Sequence, residues 1–168
     1  MHIAIPIINL LALLLGAFIL QPHAFAEESE ITFTTRSYGD WQMRCEKAKE
    51  AEKTCVMTQQ AMVQSSGQRV MQANIAIKGQ DTLMTLILPL GIYLPGGAVM
   101  AIGEEHSIEL LINYCNRSGC IVNHALDTRL IRAMGAAEAV TIKIEISDGQ
   151  VVNVPLSTKG FFDAHRNL

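Results

Sequence analysis

The strict alternation of residues 140–146 is the feature that most constrains the fold of this chain. Within the sequence VTIKIEI, the apolar positions are Val140, Ile142, Ile144 and Ile146. A period of two places these side chains on one face of a β-strand and the polar ones between them on the other face. The segment therefore predicts a half-buried strand, whose apolar face needs a second layer of structure to cover it.

Other segments carry the same signal, so strands dominate the chain. RVMQANIAIK (residues 69–78) and SIELLINYC (residues 107–115) alternate, whereas DTLMTLIL (residues 81–88) is apolar on both faces and suits a central strand. The pair Asp148-Gly149, between residues 140–146 and the next apolar run, predicts a tight hairpin.

One helix stands out, beginning after Asp127, which can cap its first turn, and ending at Gly135. A second short helical turn is predicted from Phe161 to Asn167. Many strands with a single short helix indicate an all-β, mainly antiparallel fold. The sequence predicts either a β-sandwich or a partly open barrel.

The first 26 residues have the layout of a secretory signal peptide. Residues 3–20 are almost wholly apolar, Pro22 follows, and Ala24-Phe25-Ala26 matches an A-x-A cleavage site. An uncleaved membrane anchor is the alternative, because the apolar run is nearly long enough to span a bilayer. The cleavage site favours the signal peptide, so we expect residues 27–168 to form a single β-rich domain with no transmembrane segment.

The charge balance excludes one class of partner. All 13 Lys and Arg residues and all 16 Asp and Glu residues lie after residue 26, so the mature chain keeps the net charge of −3. A mildly acidic chain without a long basic stripe is not expected to bind nucleic acid.

The four cysteines, all beyond the predicted signal, indicate two disulfides in an exported chain. Cys45 with Cys55 and Cys115 with Cys120 is the favoured pairing, because each bond closes a short local loop. Crossed pairing between the two halves of the chain remains the alternative.

Residues 88–102, LPLGIYLPGGAVMAI, combine a large apolar content with two prolines and three glycines. Prolines do not fit central strands, so the segment is predicted to be a crossover that covers an open end or edge of the fold. Cover for the core is the favoured role, and an exposed surface for a partner is the alternative. Tyr93, Leu94 and Val99 are therefore candidate interaction residues.

Trp41 follows the sequence Tyr38-Gly39-Asp40 at the start of the domain. A large aromatic ring at this position is expected to fill one end of the core. Because a ligand or partner contact is the alternative, Trp41 joins the candidate interaction surface.

The chain offers no recognisable catalytic motif. His106, His124 and His165 lack a partner at the i,i+4 spacing of a helical metal pair, and Glu104-Glu105-His106 are consecutive residues that point in different directions. Neither a G-x-S-x-G motif nor a glycine-rich phosphate loop is present. We therefore predict no catalytic residues, no metal site and no cofactor.

Four phrases occur in a characteristic order along the chain. They are YGDWQMRC at residues 38–45, LPLGIYLPGGAVM at 88–100, CNRSGC at 115–120 and VPLSTKGFFDAHRNL at 154–168. Together they resemble the invasion-associated locus B family of bacterial periplasmic proteins, over about residues 31–168. The resemblance implies a small exported β-rich domain, and for some members an involvement in the entry of bacteria into host cells.

The resemblance implies no reaction, so we expect a non-enzymatic exported protein that contacts another protein or the cell envelope. Its expected location is the periplasm, and association with the outer membrane or secretion are the alternatives. Two alternatives remain. One is a binding module for an apolar ligand or lipid, and the other is a thiol–disulfide enzyme that uses Cys115 and Cys120. The C-x₄-C spacing of these two cysteines differs from the C-x-x-C of thioredoxin-like sites, which favours a structural bond.

Overall fold

The computed structural model describes residues 31–104, 106–146 and 149–168. The predicted signal peptide and Asp148 of the predicted hairpin turn lie outside these residues. The elements in chain order are β1 Thr32–Tyr38, β2 Trp41–Lys47, β3 Thr54–Met62, β4 Arg69–Lys78, β5 Asp81–Leu88, β6 Ala98–Ile102, β7 His106–Leu110, β8 Tyr114–Asn116, β9 Gly119–Leu126, α1 Thr128–Ala136, β10 Val140–Glu145, β11 Val151–Leu156 and α2 Phe161–His165.

The strands form two antiparallel sheets. One has seven strands in the order β1-β2-β3-β4-β5-β9-β8, and the other has four in the order β11-β10-β6-β7. Their inward side chains share one apolar core. The predicted all-β, mainly antiparallel fold is confirmed, and the described strands form two separate sheets and no closed barrel.

The alternation of apolar residues accounts for the core. Val140, Ile142 and Ile144 of β10 are buried, as the strand period predicts. β10 and β11 pair directly from Val140 opposite Leu156 to Glu145 opposite Val151, which confirms the hairpin between them. β5 is a central strand between β4 and β9, in agreement with its apolar character on both faces.

The segment SIELLINYC does not form one strand, so that prediction is wrong. β7 ends at Leu110, which pairs with Ala98 in the four-stranded sheet, whereas Tyr114 begins β8 and pairs with Ile121 in the seven-stranded sheet. The link is fixed by a backbone hydrogen bond of 2.8 Å from Asn113 N to Ile121 O. Alternation of side chains cannot reveal that the chain changes sheets.

Helix α1 begins as predicted but does not end at Gly135. The Asp127 Oδ1 atom accepts a hydrogen bond of 2.7 Å from the Leu130 amide, which caps the first turn. The helix continues through Ala136. A Cβ atom on Gly135 would lie 2.4 Å from the ring of Phe162, so the glycine permits close packing against α2.

Candidate functional site

The first and last of the four family phrases meet in one structural joint. The Trp41 Nε1 atom donates a hydrogen bond of 2.8 Å to the Ser157 carbonyl, and the Asp40 amide donates one of 3.1 Å to the Lys159 carbonyl. The Ser157 hydroxyl donates to the Asp40 carboxylate at 2.7 Å. The Trp41 ring also meets Phe161 of α2 edge-on, with 5.6 Å between centroids. We call this cluster the joint.

Two glycines allow the backbones at the joint to approach. Gly39 and Gly160 have φ values of +56° and +82°. A Cβ atom on Gly160 would lie 2.0 Å from the Tyr38 carbonyl oxygen, and one on Gly39 would lie 2.5 Å from the Lys159 carbonyl oxygen. Any side chain at either position would push the β1–β2 turn away from the C-terminal segment.

Gln59 completes the joint and was missed by the sequence analysis. Its amide is almost fully buried, at 8% exposure. Gln59 Oε1 accepts a hydrogen bond of 2.6 Å from the Ser157 amide, and Nε2 donates one of 3.3 Å to the Ser157 carbonyl. The available signal was its place in β3, since Cys55, Met57 and Gln59 occupy successive inward positions.

The third phrase, CNRSGC, forms a stapled hairpin. Cys115 and Cys120 are directly opposite in β8 and β9 and are joined by a disulfide, as are Cys45 and Cys55 in β2 and β3. A Cβ atom on Gly119 would lie 2.2 Å from the Leu88 carbonyl oxygen. The hairpin therefore packs against the end of β5, where the second phrase begins.

The second phrase crosses from one sheet to the other, as predicted. β5 of the seven-stranded sheet ends at Leu88, and β6 of the four-stranded sheet begins at Ala98. Between them, Ile92 bridges Ile146, and the Tyr93 amide donates a hydrogen bond of 2.8 Å to the Glu145 carbonyl. A 3-10 turn, Leu94–Gly96, completes the link.

This crossover is partly buried in the core and partly exposed on the surface. Leu88, Ile92 and Ala98 are buried in the core. In contrast, Leu90, Tyr93 and Leu94 are exposed, the last two at 46% and 53%. The exposed residues project from a backbone that hydrogen bonds and core contacts fix on both sides. We call Leu90, Tyr93 and Leu94 the crossover patch.

The structure does not bring the four candidate interaction residues together. Tyr93 and Leu94 are adjacent and exposed, but Val99 is half-buried in β6, where it is paired with Lys143 and Glu109. Trp41 is only 1% exposed and lies in the joint. Trp41 therefore cannot belong to an exposed surface, because its ring fills the core and its one donor is already bonded.

His106 and His124, far apart in sequence, line one cleft. This cleft, of about 500 Å³, lies between β7, β9 and α1, and Ser107 and Asp127 also border it. Asp127 is engaged as the cap of α1. Among the described residues, no hydrogen bond joins Ser107 to either imidazole, and no three His, Cys, Asp or Glu side chains converge on a metal position. The cleft thus contains polar groups without the contacts of a catalytic triad.

His165 lies away from this cleft, in α2. Its Nε2 atom is 3.3 Å from the Thr82 hydroxyl, and its ring stacks on Phe161 with 6.2 Å between centroids. Burial lowers the pKa of His165 below its ordinary value, because the charged imidazolium loses solvation. Through these contacts, His165 packs against Phe161 within α2 and against β5.

In the described part of the chain, neither helix has the apolar length that a bilayer-spanning helix requires.

Comparisons with known proteins agree with the family resemblance. A model of the family described as "Invasion associated locus B (IalB) protein" matches residues 41–168. Invasion protein B homologs of Brucella abortus strain 2308 and of Brucella abortus biovar 1 strain 9-941 are each 28% identical over 127 residues, covering 74% of this chain and 73% of the relative. The crystal structure of invasion associated protein B from Bartonella henselae superposes with a TM-score of 0.72 at 23% identity, covering 80% of this chain and 93% of that one.

Proposed function

The chain belongs to the invasion associated locus B family, and from this premise we propose that it is a non-enzymatic exported protein that acts through contacts with another protein or with the cell envelope. The family is named for an association with invasion and not for a reaction. We further propose that these contacts serve host-cell invasion, as the names of the Brucella relatives suggest for those proteins.

The two disulfides are typical of an extracytoplasmic location, because thiols are kept reduced in the cytosol. The periplasm is the compartment we propose, and association with the outer membrane and secretion are the alternatives. Each of these places would present the protein to an envelope or host surface.

The observation that carries the proposal is the crossover patch. Three large apolar side chains are exposed on backbone that the core holds in place, so the backbone that carries them needs no ordering on binding. Full burial of one such side chain contributes roughly 1.5–3 kcal/mol. Because Tyr93 and Leu94 are about half-exposed, covering both is expected to contribute about 2 kcal/mol, or a factor of roughly thirty in affinity.

The test compares a double charge substitution in the crossover patch with a single one at an apolar residue outside it whose exposure matches that of Leu94. Leu94 is 53% exposed in the crossover patch, and Phe33 is 52% exposed on the edge strand β1. Oxidised wild-type protein, Tyr93→Asp/Leu94→Asp and Phe33→Asp would be co-sedimented with bacterial outer-membrane vesicles and with erythrocyte ghosts. We expect the double variant to lose at least about tenfold in binding to one of the two membranes, and Phe33→Asp to retain it.

Trp41 fluorescence serves as the folding control, since the single tryptophan lies in the joint. Equal binding by the folded double variant and the wild type would refute the crossover patch as the contact surface. A reproducible hydrolytic or thiol-oxidoreductase activity, abolished by one point mutation, would refute the non-enzymatic function itself.

A further inference from the structure

The edge of the four-stranded sheet at β11 has one side of its backbone turned away from the sheet. Among the described strands, β11 pairs only with β10, and Thr141 is opposite Pro155, which has no amide hydrogen. At the hairpin end, the Ile146 amide donates a hydrogen bond of 2.9 Å to the Gln150 carbonyl. In an antiparallel pair, every second residue bonds to its partner. The residues that bond to β10 are therefore Val152, Val154 and Leu156.

The other alternate residues, Val151, Asn153 and Pro155, direct their backbone groups outward. Together they present two amides and three carbonyls along the free edge, over a length of roughly 16 Å for five extended residues. Within the described residues, these outward groups have no hydrogen-bond partner. An edge of this kind is a template for another strand.

Ser157 shows how the same edge is paired one step further along the chain. It is the next outward position, and the buried Gln59 amide both accepts from its N–H and donates to its C=O. A carboxamide has the donor and the acceptor of a peptide group. Gln59 therefore takes the place of a neighbouring strand at Ser157, and the pattern remains open at Asn153 and Val151.

A groove of about 610 Å³ runs beside the open part of the edge. One wall is the end of the β3–β4 hairpin, with Met62, Val63 and Val70, and the other is β11, with Val152 and Pro155. Met62 and Val152 are exposed apolar residues. Asp40 is the one charged side chain among the described residues that line the groove. The groove thus favours an uncharged, partly apolar occupant.

We propose that the free edge of β11 binds an extended peptide segment of a partner protein, which adds a fifth strand to the four-stranded sheet and places alternate apolar side chains in the groove. An extended backbone supplies donors and acceptors at the two-residue spacing of Val151 and Asn153, and apolar lipid chains supply neither. Tyr93 and Leu94 do not line the groove, so this site is separate from the crossover patch. An experiment can therefore refute one of the two proposals without refuting the other.

The test removes one outward amide without altering the rest of the sheet. In Asn153→Pro the lost N–H points away from β10, as the missing N–H of Pro155 already does, so folding should be preserved. Asn153→Ala keeps the N–H and is the matched control. Random decapeptides displayed on phage would be selected on the oxidised wild-type protein, and the enriched peptides would be synthesised and titrated by fluorescence anisotropy.

We expect the enriched peptides to alternate apolar and polar residues. Asn153→Pro should weaken the binding of these peptides about tenfold, because the hydrogen bond from the amide of residue 153 is lost and its acceptor on the peptide is left unpaired. Asn153→Ala should weaken binding by no more than about twofold. Peptides N-methylated at alternate amides provide a second measurement on the wild-type protein: one of the two methylation patterns should abolish binding and the other should retain it.

Three results would overturn the proposal. The first is a selection that enriches no peptide on the wild type above Asn153→Pro. The second is peptides that tolerate both methylation patterns. The third is sedimentation of the wild type as a dimer that Asn153→Pro dissociates, because the edge would then join two copies of this chain.

Discussion

Replacing Gly160 by alanine tests whether the joint holds the two ends of the domain together. A Cβ atom there would lie 2.0 Å from the Tyr38 carbonyl oxygen at a φ of +82°. Gly149 has the same φ of +82°, but a Cβ there would meet none of the described atoms within 4 Å. The left-handed conformation costs alanine roughly 1–2 kcal/mol at either position. Gly149→Ala therefore measures the conformational cost alone, and Gly160→Ala adds the collision.

The collision has a magnitude that follows from the contacts around it. Gly160 and Tyr38 would have to move apart by at least about 1.4 Å to reach an ordinary van der Waals separation. That movement would break the hydrogen bond of 3.1 Å between the Asp40 amide and the Lys159 carbonyl, which contributes about 1 kcal/mol. It would also loosen the aromatic contact at Phe161, which contributes about 0.5–1.5 kcal/mol. We expect Gly160→Ala to be about 2 kcal/mol less stable than Gly149→Ala.

The assay is equilibrium unfolding in urea of the oxidised proteins, followed by Trp41 fluorescence. The single tryptophan is buried in the joint, so its emission reports on the region that the substitution disturbs. Equal slopes with denaturant would show that the two variants unfold the same structure. If the two variants differ by less than about 0.5 kcal/mol, the range of ordinary surface substitutions, then the joint adapts to the added methyl group and the reasoning is wrong.

Three further predictions concern the same framework. Gln59→Leu should lower the free energy of unfolding by about 1–2 kcal/mol, because the part-buried Ser157 amide loses its acceptor. Gln60→Leu, at an exposed position of the same strand, should change it by less than about 0.5 kcal/mol in the same urea assay. Replacing both cysteines of the β2–β3 disulfide by serine should lower the free energy of unfolding by about 2.7 kcal/mol, because these cysteines are 10 residues apart. The same replacement in the β8–β9 disulfide, whose cysteines are 5 residues apart, should lower it by about 2.1 kcal/mol. A larger decrease in the thermal unfolding temperature for the β8–β9 variant would contradict the loop-entropy argument. Burial lowers the pKa of His165 in the folded protein, so as the pH falls the unfolded chain takes up a proton before the folded one does. The contribution of His165 to the free energy of unfolding should therefore be complete above pH 6.5. It should decrease as the pH falls from 6.5 through the lower folded-state pKa. His165→Gln should flatten that part of the curve of urea midpoint against pH, and an unchanged slope would contradict this origin.

The strands were predictable because one face of each is buried. Ile142 and Ile144 have no other reason to alternate with polar residues, and the structure buries both. What alternation could not give is the partner of each strand. Leu110 and Tyr114 share a period of two, yet they pair in different sheets, because the short link between them carries the chain across the sandwich.

The parts of the site that were missed depend on contacts between distant residues. Gln59 is polar at an inward position, and only the arrival of Ser157, 98 residues later in the chain, explains it. His106 and His124 share a cleft because β7 and β9 lie on either side of it. A glycine after the last apolar residue of a helix generally marks its end, but at Gly135 the Phe162 ring of the next helix decides the role of the residue. In each case the deciding atom belongs to another element.

The four phrases that carry the resemblance therefore differ in what they can say about function. Gly39, Trp41 and Gly160 are required by the joint, and Gly119 by its contact with β5, whatever the protein binds. Of the four, the crossover phrase holds three large apolar residues that the fold itself leaves exposed in one short segment. A relative could keep every contact of the joint and bind a different partner by changing Leu90, Tyr93 or Leu94, since none of these is buried. The framework thus accounts for the residues that carry the resemblance, and both proposals for a partner rest on residues outside it, at the crossover patch and at the free edge of β11.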